Sequence, residues 1–239
     1  MTDWKSIWSN RTGSGDTLQD LLALNGFDSG AGYVSPPYWR DYVSSVAKEC
    51  GIETGQRVLE LGCGAGAFLL ALEEAVSGLE LSGVDYSRAL LSVAKRTLPN
   101  GVFREADLRD LEIHGEFDGV LAHSVLQYLD TDTVEKLFEE ATKSARNFVA
   151  FLDIPDSKTM RESERVRQGA LGELEYERKY GNLRHTYFDL AFFESLQSSK
   201  WSMERMLARK ENYGNDHYRF SVLYRKNIES DARSADTLT

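Results

Sequence analysis

The chain has 239 residues, of which 41% are hydrophobic and 28% charged, with a formal net charge of −10. That length holds one sizeable domain with added segments, and the composition is ordinary for a globular protein. The acidic balance argues against a nonspecific nucleic-acid binder, which needs basic surface to meet phosphates.

Cys50 and Cys63 are the only cysteines, and neither belongs to a C-x-x-C pair, so no zinc site or disulfide framework is expected. The opening MTDWKSIWSN has no apolar core of signal-peptide length, and no run approaches a membrane span. A cytoplasmic protein without membrane attachment is the expectation.

In chain order, Leu18 to Leu22 reads as a short helix with Thr17 as its N-cap, followed by a glycine-punctuated turn region over 25–32. Tyr38 to Glu49 is amphipathic, with Tyr42, Val43, Val46 and Ala47 on one face, and Pro36-Pro37 suits the first turn of that helix. From Gly55 to Ile154 strand and helix patterns alternate. Strands are predicted at 57–61, 79–84, 102–104, 117–122 and 147–152, and helices at 65–76, 87–97 and 132–144, with Ser87 and Thr131 as caps. This alternation defines an α/β, doubly wound sheet. Residues 156–184 are strongly charged, with seven Lys or Arg against six Asp or Glu, and read as the solvated face of a helical insertion; the alternative is that Arg161, Arg165 or Arg167 pairs with an acidic substrate. Leu183 to Phe188 then reads as a strand, Asp189 as a helix cap, and Trp201–Leu207 and Tyr218–Arg225 as two closing strands. Residues 227–239 are small and polar, which predicts a frayed tail.

The chemistry concentrates in RVLELGCGAGA, residues 57–67. A buried strand ending in Glu60-Leu61 turns through Gly62, Gly64 and Gly66 into an apolar helix, which brings backbone N–H groups and a helix N-terminus toward a ligand. Gly62, Gly64 and Ala67 also satisfy the dinucleotide fingerprint. Asp85 ends the second strand nineteen positions after Gly66, where a carboxylate can take both hydroxyls of a ribose. A second acid, Asp107, follows the third strand in Ala106-Asp107-Leu108, placed for an adenine amino group.

Taken together, ELGCGAG, VDYS, EADLRDL and FDGVLAHSVLQYL resemble, in order and spacing over about residues 45–155, the motifs of a class I S-adenosylmethionine-dependent methyltransferase of the small-molecule, type 11/25-like kind. The resemblance implies a seven-stranded Rossmann-like sheet with an antiparallel last strand, an N-terminal helical lid over residues 1–50, a methyltransferase domain over 51–226 and a cap inserted at about 156–184. It implies S-adenosyl-L-methionine as cofactor and S-adenosyl-L-homocysteine as product. The cofactor would be held by Glu60, Gly62, Gly64, Gly66, Asp85, Tyr86, Ala106, Asp107, Leu108 and Ala122. Tyr38, Trp39, Gln127 and Tyr128 would meet the acceptor.

Ser35-Pro36-Pro37-Tyr38 also resembles the SPPY motif of circularly permuted DNA amino-methyltransferases. The preceding GFDSGAGYV is too glycine-rich for the strand that delivers that motif, and Phe117–Ala122 already takes the fourth-strand role.

Methyl transfer from a sulfonium is an in-line displacement in which the protein aligns the acceptor, excludes water and, where needed, removes a proton. Three residues are candidate bases: His123 after the fourth strand, and His185 with Tyr187 on one face of the strand predicted at 183–188. No set of acids has the spacing of a metal site. The expected function is methylation of an oxygen or nitrogen of a small metabolite by a monomer or homodimer, with no nucleic-acid or membrane partner. The alternatives are a non-catalytic S-adenosylmethionine-binding regulator or scaffold, and a nicotinamide-dependent oxidoreductase.

Overall fold

A computed structural model describes residues 4–180 and 183–227, so most of the tail expected over 227–239 lies outside the described residues. The helices are α1 (Trp4–Ser9), α2 (Leu18–Leu24), α3 (Pro36–Cys50), α4 (Ala67–Ala75), α5 (Arg88–Thr97), α6 (Thr131–Ser144), α7 (Met160–Leu171), α8 (Glu173–Tyr180) and α9 (Leu190–Ser195). The strands are β1 (Arg57–Leu61), β2 (Glu80–Asp85), β3 (Val102–Glu105), β4 (Phe117–His123), β5 (Ala145–Pro155), β6 (Trp201–Arg205) and β7 (Arg219–Lys226). They form one seven-stranded sheet in the order β3-β2-β1-β4-β5-β7-β6. Strands β1 to β5 run parallel, and β7 lies antiparallel between β5 and β6.

Parallel strands covered on both faces are apolar almost throughout. Accordingly β1 is buried from Val58 to Leu61 and β5 from Phe148 to Pro155. One face packs on α2–α5 through Leu21, Trp39, Val43, Phe68, Leu72 and Leu91. The other packs on α6 and α9 through Val134, Leu137, Phe138 and Phe193. The strand order reverses between β1 and β4, so the crevice outside their carboxyl ends is where a ligand sits in such a sheet.

Two local expectations change. Leu183–Phe188 forms no strand; it is an irregular segment tied down by Thr186 N donating to Gln127 O (2.9 Å) and Phe188 N donating to Pro155 O (2.9 Å). Only Phe188 pairs, in a single parallel bridge with Asp156 just past β5, because β7 occupies the edge of β5 itself. The cap of α6 is Asp130, whose side chain accepts from Thr133 N at 2.8 Å, with Thr131 as first helical residue. The capping oxygen has to sit outside the helix to reach that N–H. Thr17 and Ser87 cap as expected. Among the described residues, no helix is long and apolar enough to cross a membrane.

The cap assignment is testable by denaturant unfolding. Asp130→Ala is expected to cost about 1 kcal/mol. Thr131→Ala, at an exposed position with no cap bond, should cost less than about 0.5 kcal/mol.

Candidate functional site

The turn after β1 is pinned to the end of β2. Gly62 N and Cys63 N both donate to Val84 O (2.7 and 3.0 Å), and Gly64 N donates to Asp85 Oδ2 at 2.9 Å. Gly64 has φ +54°, and a Cβ there would stand 2.5 Å from Asn25 Oδ1, so side chains are excluded both by conformation and by space. Asn25 completes the cradle: its Oδ1 accepts from Ala65 N (2.8 Å) and its Nδ2 donates to Cys63 O (3.3 Å). The other oxygen of Asp85 accepts from Ser87 N at 2.7 Å. Burial pushes the Asp85 carboxyl up, against these backbone bonds.

Two connected cavities open on this turn. The first is lined by Glu60, Gly62, Gly64, Phe68, Asp85 and His123, and also by Trp39. The second is lined by Asp85, Tyr86, Asp107, Leu108, Arg109 and Lys5. They share Gly62, Asp85, Tyr86, Val125 and Tyr128, so Asp85 stands at the middle of one continuous groove. At its far end Asp107 is clamped by Arg109 (2.7 Å) and Lys5 (3.1 Å), which hold its carboxyl below the usual carboxylate range. At the near end Glu60 is 2% exposed, with Oε2 unpartnered; burial and then Asp85 push its carboxyl well up.

A third cavity of about 260 Å³ adjoins the first and shares Trp8, Asn25, Phe27, Ser124 and Tyr128 with it. Its polar lining includes Gln127, His185, Asn215, Arg11, Arg167 and Arg219. Among the described residues, eight buried side-chain polar atoms lack a hydrogen-bond partner, and seven belong to residues lining the first and third cavities. Buried polar groups are nearly always paired in folded proteins. Residues with such unpaired atoms gather around these two cavities.

The aromatic helix α1 lies across the groove. Trp4 packs on Tyr128 and His185 (centroids 5.0 and 4.9 Å), Trp8 packs on Tyr128 (5.7 Å), and Lys5 sits over the Tyr86 ring (5.7 Å). The helices α7 and α8 supply Arg167 and Tyr176 to the third cavity from its outer side.

The candidate residues divide by placement. Glu60, Gly62, Gly64, Asp85, Tyr86, Asp107, Leu108 and Tyr128 line the groove, and Gln127 with Tyr128 lines the third cavity. Gly66 starts α4, and Ala122 is buried within β4. Neither of these, nor Ala106, lines any of the three cavities described above. Trp39 is buried and donates to Ala67 O, reaching the first cavity but not the third; Tyr38 packs against the core beneath.

His185 reaches the third cavity, whereas Tyr187 turns away, its hydroxyl 3.3 Å from Ser163 Oγ. The two do not share a face, because the segment is not a strand. His123 is enclosed by Phe27, Trp39, Tyr42 and Phe68, with centroids 5.1–5.7 Å away. Burial pushes its imidazole down to about 3, and burial followed by Arg167 lowers that of His185. Both are weak proton acceptors near neutrality.

Asn25, Asn215 and Arg219 were not singled out from the sequence. Only the Asn25-Gly26 turn gave a local sign, and it says nothing of where the amide points. No group of three or more His, Cys, Asp or Glu among the described residues could hold a metal.

Residues 58–147 match the family described as "Methyltransferase domain". A curated relative, the carboxy-S-adenosyl-L-methionine synthase of Campylobacter hominis, is 28% identical over 136 residues, covering 53% of this chain and 58% of that protein. The chain spans about half the length of the curated relatives it matches. The plantazolicin methyltransferase BpumL, solved with a monoazolic desmethylPZN analog and SAH, superposes with a TM-score of 0.65 at 14% identity, covering 88% of this chain and 89% of that one. Magnesium protoporphyrin IX methyltransferase (ChlM) from Synechocystis PCC 6803 with bound SAM does so with 0.58 at 17% identity, covering 92% and 89%. Residues 58–147 thus match a methyltransferase domain, and the fold is that of these solved methyltransferases.

The cage around His123 makes a pH prediction. Its folded value of about 3 lies below the ordinary 6.5, so the fold favours the neutral ring. That contribution is complete above pH 6.5 and is lost as pH falls toward 3. His123→Phe should flatten the acid-side fall in unfolding free energy by up to about 1.4 kcal/mol per pH unit. An unchanged slope in pH-dependent urea unfolding would mean that the ring titrates normally.

Proposed function

We propose that the protein transfers the methyl group of S-adenosylmethionine to a small-molecule acceptor seated in the third cavity. The observation that carries this reading is Asp85, a half-buried carboxylate standing between the glycine turn and the Asp107 end of one groove. The residues fit an adenosyl sulfonium along its whole length. Asp85 would take the ribose hydroxyls, Leu108 and the clamped Asp107 would border the adenine, and Glu60 would take the amino-acid end with its orphaned oxygen. The rings of Phe68, Trp39 and Tyr128 offer faces that attract a cation.

When bound, S-adenosylmethionine supplies an activated methyl group. The chain's own residues then have to hold the acceptor in line and keep water out. Helix α1 packs over the groove, and α7 with α8 walls one side of the third cavity, which supports a small acceptor over a polymer. One curated relative, the trans-aconitate 2-methyltransferase of Escherichia coli O1:K1 / APEC, is named for a small acceptor. An acceptor oxygen or nitrogen is the reading carried forward from the motifs. The cavity orphans weigh against an idle scaffold, because a binding-only protein has no need of a second polar cavity beside the methyl position.

Calorimetry tests this directly. S-adenosylhomocysteine should bind, and oxidised or reduced nicotinamide nucleotides should not. Asp85→Asn should weaken binding by roughly tenfold or more, the loss expected for charge-assisted hydrogen bonds. Urea unfolding of the same variant separates this loss from damage to the turn, since Asp85 also holds Gly64 N and Ser87 N. Unchanged affinity would remove the ribose assignment.

A further inference from the structure

The third cavity has a marked polarity. Three arginines line it, Arg11, Arg167 and Arg219, and the one acid in its wall among the described residues, Asp28, is exposed. Arg219 is 8% exposed and its Nε is unpartnered. Its Nη1 donates to Asp153 O at 3.3 Å. Asp153 is itself paired with the buried Lys210 at 2.7 Å. Burial opposes the charge of Arg219, but Asp153 and the tyrosines around it keep the guanidinium charged.

Beside it Gln127, Asn215 and His185 line the same space, each with one buried polar atom that has no partner (Oε1, Oδ1 and Nδ1), among the rings of Trp8, Phe27 and Tyr128. A buried guanidinium with an unused N–H is costly unless an anion meets it. A guanidinium matches a carboxylate in shape as well as in charge.

We propose that the acceptor is a small carboxylic acid with an apolar or planar body, bound through Arg219 and Arg167, and that one of its carboxylate oxygens receives the methyl group. This rests on the methyl-transfer reading above and specifies its acceptor. In the step, a lone pair of the carboxylate oxygen forms the bond to the methyl carbon, the carbon–sulfur bond breaks, and its electron pair stays on sulfur. The negative charge of the acid and the positive charge of the sulfonium are both consumed, leaving a neutral ester and a neutral thioether. No proton moves.

That balance matches the walls. A phenol or an ammonium acceptor would have to lose a proton, and the imidazoles at hand, His123 and His185, are held as weak acceptors. A cationic amine would also meet the arginines. A carboxylate is ionised before it arrives, and cancelling two opposite charges is favoured where water is excluded.

The test uses the intact protein saturated with S-adenosylhomocysteine. Calorimetry compares benzoate and phenylacetate with benzamide and phenylacetamide. At least one acid should bind roughly tenfold or more tighter than its amide. That preference should collapse in Arg219→Gln, recover in part in Arg219→Lys, and fall in Arg167→Gln, whose side chain is less buried and serves if the Arg219 variants do not fold.

In parallel, methyl-labelled cofactor is incubated with a metabolite extract. Label in a base-labile product that releases methanol supports the proposal. Label in a base-stable phenol or amine product, or equal binding of acids and amides, overturns it while leaving methyl transfer intact. Failure of S-adenosylhomocysteine itself to bind would instead overturn the underlying reading.

Discussion

The structure depends on one pairing between backbone and carboxylate. Asp85, at the carboxyl end of β2, accepts from Gly64 N in the turn after β1 and from Ser87 N at the start of α5. This ties two βα turns together at the point where the strand order reverses. The turn can come that close because Gly62 and Gly64 adopt φ values of +75° and +54°, and a Cβ on either would strike Val125 or Asn25. With the turn held there, the groove, the orphaned oxygen of Glu60 and the opening toward the third cavity all follow. A carboxylate bound by two N–H groups is also a fixed negative edge that ribose hydroxyls can meet without rearrangement.

A second constraint shapes the acceptor side. At the end of β5 the pairing with β7 slips between Phe151 and Ile154, and Asp153 takes φ +60°. Its carboxylate leaves the ladder and meets Lys210 at 2.7 Å, while Lys210 lies 4.5 Å from the centre of the Tyr42 ring. Despite burial, Lys210 and Arg219 hold Asp153 below the usual carboxylate range. Buried ion pairs are weak devices for stability but good ones for fixing geometry. Here the pair sets Arg219 as a rigid donor on a cavity wall built from β7, from the irregular segment around His185 and from the insertion α7–α8. The irregularity at the end of β5 thus positions one wall of the third cavity.

What the sequence revealed was local. The glycine turn, Glu60, Asp85 and Asp107 lie in short motifs whose spacing encodes their positions, and the strand–helix alternation gave the sheet up to β5. The readings that changed turned on choices between neighbours or on distant packing. Asp130 and Thr131 are both good capping residues, and only the backbone decides which stands outside the helix. Leu183–Phe188 has strand-like residues, but strand formation needs a free edge, which β7 takes. Asn25 and Arg219 reach the site across 40 or more positions of chain, Asn25 to Ala65 and Arg219 to Asp153. No local pattern marks such contacts, because an amide in a turn or an arginine opening a strand is common. Only in the formed fold do the bonds of Asn25 to the glycine turn and the unpartnered Nε of Arg219 identify them.

The account's central claim is that a single adenosyl sulfonium lies along the groove with its sugar at Asp85. A crystal structure with S-adenosylhomocysteine at saturating concentration tests it most directly. The account predicts ribose hydroxyls within hydrogen-bond distance of the Asp85 carboxylate and the sulfur between the glycine turn and the arginine-lined cavity. A sugar seated away from Asp85, or a groove holding no ligand at that concentration, would contradict it.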